Sequence, residues 1–144
     1  MNSNFFGIMD ISGSGLTAER FRMDIIADNI ANAETTRTPE GGPYKRKVPI
    51  FAERVENSIA NYLSEAKAAG VRVIGIHEDN SPPRLVYDPT NPDADANGYV
   101  KMPNVNVVRE MVDMISAQRA YEANISVISS ARSMVRSALD IGRA

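Results

Sequence analysis

Val107-Val108-Arg109-Glu110-Met111-Val112-Asp113-Met114-Ile115-Ser116-Ala117-Gln118-Arg119-Ala120-Tyr121-Glu122-Ala123-Asn124-Ile125 opens the proline-free run at the back of the sequence, and its reading decides the fold. Val107, Met114, Tyr121, Ile128 and Val135 place an apolar side chain at every seventh position. That is the spacing by which one helix seats a stripe against another helix. Ala117, Asn124, Ala131 and Ala138 each follow a stripe member by three residues. Three of them are small enough to admit a close neighbour, and Asn124 is placed to fix register. Met111, Ile125 and Leu139 form a second edge, broader than a two-stranded coil covers, so more than one neighbour is expected. Asn104 or Asn106 can cap this helix and Gly142, beside Arg143, can end it after Ile141. Its length is then roughly nine or ten turns.

Working forward along the chain, all eight prolines lie between Pro39 and Pro103, and the front is again proline-free. Met9, Leu16, Met23 and Ile30 repeat the seven-residue spacing there, with Ile26 and Ala33 widening the stripe. A helix is expected from about Ile8 to Ala33. Gly13 and Gly15 weaken its first turns by about 1 kcal/mol each relative to alanine, so the start should fray when unpartnered. Asn29 and Asn32 interrupt the helical face with amides that need partners if buried. They admit two readings: buried amides that specify geometry, or solvated amides that cap the helix end.

Between the two helices, Thr38-Pro39-Glu40-Gly41-Gly42-Pro43 forces a turn. Tyr44 to Phe51 reads as extended, with Lys45, Arg46 and Lys47 as a solvated strand edge in preference to an anion site. Phe51, Val55, Ile59, Leu63 and Ala66 recur near four-residue spacing up to Gly70, which predicts a short amphipathic helix over about residues 51–69. Val71 to Ile76 and Arg84 to Tyr87 read as short strands.

Chemistry-bearing patterns are sparse. His77, beside Glu78 and Asp79, is the single histidine, and with no cysteine a zinc site would need mainly carboxylates, so an exposed strand-end histidine is preferred. Asp93-Ala94-Asp95-Ala96-Asn97-Gly98 matches the first half of a calcium-binding loop, yet the twelfth position is Asn104 rather than a bidentate glutamate. Turn chemistry accounts for the same residues. No catalytic, cofactor or metal residues are assigned, and an enzyme is not expected. The net charge of -2 divides into -2 over residues 1–33, -1 over 34–104 and +1 over 105–144, so no segment forms the basic patch of a nucleic-acid binder. No run of roughly 18 apolar residues able to span a membrane occurs, and the opening residues, with no lysine or arginine before a short apolar run, lead us to expect no cleavable secretory signal.

Two stretches resemble a known family. Asp28-Asn29-Ile30-Ala31-Asn32-Ala33-Glu34-Thr35-Thr36 is similar to the asparagine box of bacterial flagellar rod and hook axial proteins. Glu110 to Asn124 is similar to the box that opens their C-terminal helix, and Leu85 to Val105 resembles the linker of the short proximal-rod members. Asn29, Asn32, Thr35, Arg119, Tyr121, Glu122 and Asn124 are the box positions carried over, and Phe5 with Met9 resembles the short apolar element shown to the export gate.

The resemblance implies a structural rod subunit in the periplasmic part of the basal body, exported by the flagellar type III apparatus without a cleaved signal. Its partners would be copies of itself, other rod proteins, basal-body ring components and the export gate. The expected fold is mainly α with small β. An N-terminal axial helix (1–36) and a C-terminal one (105–144) pair as an antiparallel coiled coil, and an extended middle (37–104) carries short strands and a short helix. Met9, Leu16, Met23, Ile26, Ile30, Val107, Met111, Met114, Tyr121, Ile125, Ile128, Val135 and Leu139 form the expected polymerisation surface. The rival readings are a sibling axial rod or hook protein and a small calcium-binding module.

Overall fold

The computed structural model describes residues 2–55 and 68–142. Two long helices, α1 (Asn2–Ala31) and α2 (Val107–Ile141), bracket four strands: β1 (Lys47–Val55), β2 (Ala68–Glu78), β3 (Arg84–Tyr87) and β4 (Tyr99–Met102). β1 pairs with β2, and β3 pairs with β4, each couple forming its own two-stranded sheet. The β3–β4 ladder is antiparallel, with Leu85 opposite Lys101 and Tyr87 opposite Tyr99.

The chain divides into two compact units. The first takes Met1–Phe21, Ile50–Gly75 and Ala117–Ala144; the second takes Arg22–Pro49 and Ile76–Ser116. In the first unit, Ala117 and Ala131 are buried on α2 while Tyr121, Ile128 and Val135 are half-buried beside them. On α1, Ser12 and Ala18 are buried, and Met9 and Leu16 half-buried. In the second unit, Ile25, Ile26 and Asn29 are buried on α1, and Ala33, Tyr44 and Val105 close a small core on which Val107 packs.

The N-terminus of α2 follows the capping rules. Asn106 is the cap: its Oδ1 accepts the Arg109 N–H at 3.1 Å, and its carbonyl accepts the Glu110 N–H at 3.0 Å. Asn104, the other candidate, is engaged elsewhere. At the far end the Gly142 N–H donates to the Ala138 carbonyl in an ordinary helical bond, without the left-handed backbone of a glycine cap. α1 starts at Asn2, ahead of the expected Ile8, and stops at Ala31, where Asn32 to Glu34 turn away.

The expected short helix over about 51–69 requires correction. Phe51 to Val55 continue β1, and Ala68 begins β2; residues 56–67 lie outside the described residues. Of the five residues whose four-residue spacing suggested a helix, Phe51 and Val55 lie in β1, where the run from Lys47 finds a backbone partner in β2. Gly70 terminates no helix. It sits inside β2 at φ +112, and an added Cβ would lie 2.1 Å from Ser14 Oγ. That hydroxyl accepts the Val71 N–H at 3.0 Å and donates to the Ile11 carbonyl at 2.7 Å, so a side chain at residue 70 would displace the bond that holds β2 against α1.

Candidate functional site

The site of interest is a polar knot in the second unit, built around Asn29 of α1. Its Nδ2 donates to the Lys47 carbonyl at 2.8 Å and to Glu110 Oε2 at 3.0 Å. Its Oδ1 accepts the Lys47 N–H at 2.8 Å and the Tyr44 hydroxyl at 3.1 Å. Two donors and two lone pairs are thereby used, the full capacity of a carboxamide. The Lys47 backbone also fixes the amide's orientation, since its N–H can only donate and its carbonyl only accept. Asn29 thus pairs with β1 as a neighbouring strand would.

Glu110, in the first turn of α2, is fully buried. A carboxylate there needs partners, because leaving water is costly for a charge. Oε2 has the Asn29 amide, and Oε1 takes the Arg46 Nε at 2.6 Å. Arg46 also reaches Asp113 at 3.6 Å. Its backbone N–H donates to Asn104 Oδ1 at 2.8 Å, and Asn104 Nδ2 returns to the Asp79 carbonyl at 2.9 Å, while the Asp79 N–H closes on the Arg46 carbonyl. The two segments of the unit, Arg22–Pro49 and Ile76–Ser116, therefore meet through side-chain bonds. Burial, followed by the nearby Asp28, Glu110 and Glu78 carboxylates, pushes the Tyr44 phenol up, which keeps its hydroxyl a donor to Asn29. Lys47 Nζ lies 5.5 Å over the same ring.

The other box residues take separate places. Asn32 bonds back to the Asp28 carbonyl at 2.9 Å and receives the Thr35 hydroxyl at 3.1 Å, while the Thr35 carbonyl accepts the Tyr44 N–H. This Asn32 follows the capping reading; Asn29 follows the buried one. Asn124 donates to the Ala120 carbonyl of its own helix and lies against Gly15, where an added Cβ would be 3.1 Å from Nδ2. Arg119 and Glu122 are exposed and Tyr121 is half-buried. Among the stripe residues, Met23, Ile30, Val107 and Met114 are half-buried and Ile26 is buried, whereas Met111, Ile125 and Leu139 are exposed. Phe5 and Met9 both lie on α1.

Two expectations about the middle change in detail. Of the Lys45 to Lys47 cluster, only Lys45 is an exposed edge cation; Arg46 and Lys47 are drawn into the knot. In the Asp93 to Gly98 stretch, Asp93 receives Thr36 Oγ1 at 2.7 Å and forms an ion pair with Arg37. Asp95 Oδ1 accepts the N–H groups of Asn97 and Tyr99, a turn arrangement completed by Gly98 at φ +82. These carboxylates face protein donors. No grouping able to hold a metal ion occurs among the described residues, and no helix is long and apolar enough to cross a membrane.

Glu110 is the residue that sequence reasoning left without a role. The signal was available: it falls three residues after Val107, where the repeat next places Ala117, Asn124 and Ala131. A carboxylate at a seam position announces a buried cation or amide partner.

Comparison with known proteins follows the same two ends. Residues 9–37 match the family of flagella basal body rod proteins, and residues 96–141 match the C-terminal family of the flagellar basal body rod FlgEFG proteins. The flagellar basal-body rod protein FlgC of Borreliella burgdorferi is 53% identical over 94% of this chain and 96% of its own length. The proteins of that name from Escherichia coli and Bacillus subtilis are 44% and 42% identical, over 94% and 96% of this chain and 96% and 98% of their own.

Proposed function

The chain belongs to the FlgC family of flagellar basal-body rod proteins, and on that premise we propose that it is a structural subunit of the rod, polymerising through its terminal helices. Its work is mechanical. The subunits form the proximal part of a hollow shaft that carries torque and surrounds the export channel. The observation that carries this reading is the Asn29 to Glu110 bond, which joins one family-matched end of the chain to the other inside a buried knot.

Two contacts support pairing of α1 with α2 as an antiparallel coil. Gly15 meets Asn124, and Asn29, two heptads later on α1, meets Glu110, two heptads earlier on α2. The opposite sense of the two steps is what an antiparallel seam requires. Small or polar seam residues bring the backbones close, and the broad apolar edge of Met111, Ile125 and Leu139 is left for neighbouring subunits. Residues of the middle segment, locked to the seam by Arg46 and Asn104, then lie outward and clamp adjacent copies. The chain leaves through the flagellar type III export apparatus, with Phe5 and Met9 as the element shown to the gate, and assembles in the periplasm against other rod proteins and the basal-body rings.

Imaging of purified basal bodies from cells with and without the chain tests the reading. The rod should stop short or be missing without it and return when it is restored. A full-length rod in its absence would overturn the assignment.

A further inference from the structure

The outward faces of α1 and α2 within the second unit carry two stripes of identical spacing. On α2, Val108, Met111, Val112 and Ile115 are 72%, 52%, 62% and 53% exposed. Positions i, i+3, i+4 and i+7 make them one continuous ridge, and an exposed apolar ridge of this kind marks a protein-binding face. On α1, Asp24, Ala27, Asp28 and Ala31 repeat the spacing, and all four are exposed. One stripe is bulky and apolar; the other is small and acidic.

We propose that these stripes are the two halves of one interface between copies of this chain, the α2 ridge of one copy seating on the α1 stripe of the next. The proposal rests on the rod-subunit reading and deepens it by naming the partner and both faces. Size argues for the match, because Ala27 and Ala31 leave depressions on α1 into which the ridge of Val108, Met111, Val112 and Ile115 can settle. Charge argues for it independently. Arg109 is exposed beside the ridge, and among the described residues no ion pair engages Arg109, Asp24 or Asp28. Seating ridge on stripe sets Arg109 against the two aspartates. Pairing either face with itself would set Arg109 against Arg109, or aspartates against aspartates, and like charges brought together at an interface are unfavourable. The contact is therefore heterologous, so a copy that has filled one face still offers the other and the chain of subunits extends.

The absence of cysteine makes a clean test possible. Cells would make two full-length versions together, one Ala27→Cys and one Val112→Cys, and their basal bodies would be purified under oxidising conditions. A disulfide forms only where the two Cα atoms come within about 7 Å. The expected result is a linked dimer containing one of each version, which neither version gives alone. Arg109→Asp in the Val112→Cys version should abolish that dimer, and Asp28→Arg in its partner should restore it. The proposal is overturned if this pair and a second one, Ala31→Cys with Met111→Cys, both stay unlinked. Self-linking by a single version, or linkage to a different protein, overturns it as well. If the unsubstituted chain is absent from basal bodies, the rod reading falls and this interface with it; if it is present and the pairs stay silent, only the interface falls.

Discussion

The two units hold themselves together in different ways. In the second, α1, the middle segment and α2 are tied by side-chain bonds converging on Asn29, Arg46 and Glu110. In the first, one side-chain bond, from the Val71 N–H to Ser14 Oγ, joins β2 to α1, and close fits surround it: Gly15 against Asn124, and Gly70 against Ser14. One arrangement depends on saturating polar groups, the other mainly on leaving out side-chain atoms. The contrast is clearest in two asparagines. Asn29 spends its whole amide on other segments, whereas Asn124 bonds to its own helix and serves as a surface for glycine.

Breaking the bonded unit should cost most at Glu110. Glu110→Ala leaves the Arg46 guanidinium and the Asn29 amide without their shared acceptor, and should lower stability by about 3–5 kcal/mol. Urea unfolding of the purified chain followed by circular dichroism would measure it, and a loss below 1 kcal/mol would show the knot to be ornamental. Asn29→Ala follows, at about 2–3 kcal/mol, since the groups stranded by it include a buried carboxylate that still retains Arg46.

The fitted unit should respond to added atoms instead. Gly70→Ala imposes both an unfavourable φ and an overlap with Ser14, together about 1–3 kcal/mol, read as faster hydrogen exchange at the Val71 amide. Combining it with Ser14→Ala should recover part of the loss; no recovery would mean that backbone strain alone is responsible. Gly15→Ala should change stability by less than about 1 kcal/mol, because gained helix propensity offsets a few tenths of an ångström of movement by Asn124.

The smallest effect concerns pH. The Ser81 hydroxyl and N–H hold Asp79 below the usual carboxylate range, the Thr90 hydroxyl and N–H do the same for Asp88, and the Tyr99 and Asn97 N–H groups do so for Asp95. Depressed folded values mean that the turns have their full stabilisation above the unfolded carboxylate value of about 4, and lose it as pH falls through the folded values. Protection of the Thr90, Asn97 and Tyr99 amides, taken relative to the unfolded exchange rate at the same pH, should fall with acidification while that of Val71, held by a serine hydroxyl, should not.

Much of this was legible in the sequence where a pattern repeats. Val107, Met114, Tyr121, Ile128 and Val135 each mark the half-buried side of α2, and Ala117 and Ala131 its buried line, because seven-residue spacing constrains which face a helix can hide. The middle was less readable. Phe51 and Val55 opened a five-residue helical spacing and took up strand pairing instead, since a strand's partner is supplied by distant residues that leave no local mark. Arg46 looked like one of three interchangeable surface cations. Its role depends on Glu110, and no spacing within Lys45 to Lys47 encodes a partner so far along the chain.

That separation has a kinetic consequence. Asn29 and Glu110 are 81 residues apart, so their bond closes most of the chain into a loop, and the entropy of closure must be met before the knot gives anything back. A chain arriving front end first has α1 in place long before its partner carboxylate exists nearby. The knot is consequently a late event, possible only once the chain has arrived as far as the first turn of α2, and until it closes the front helix remains free to make a different first acquaintance.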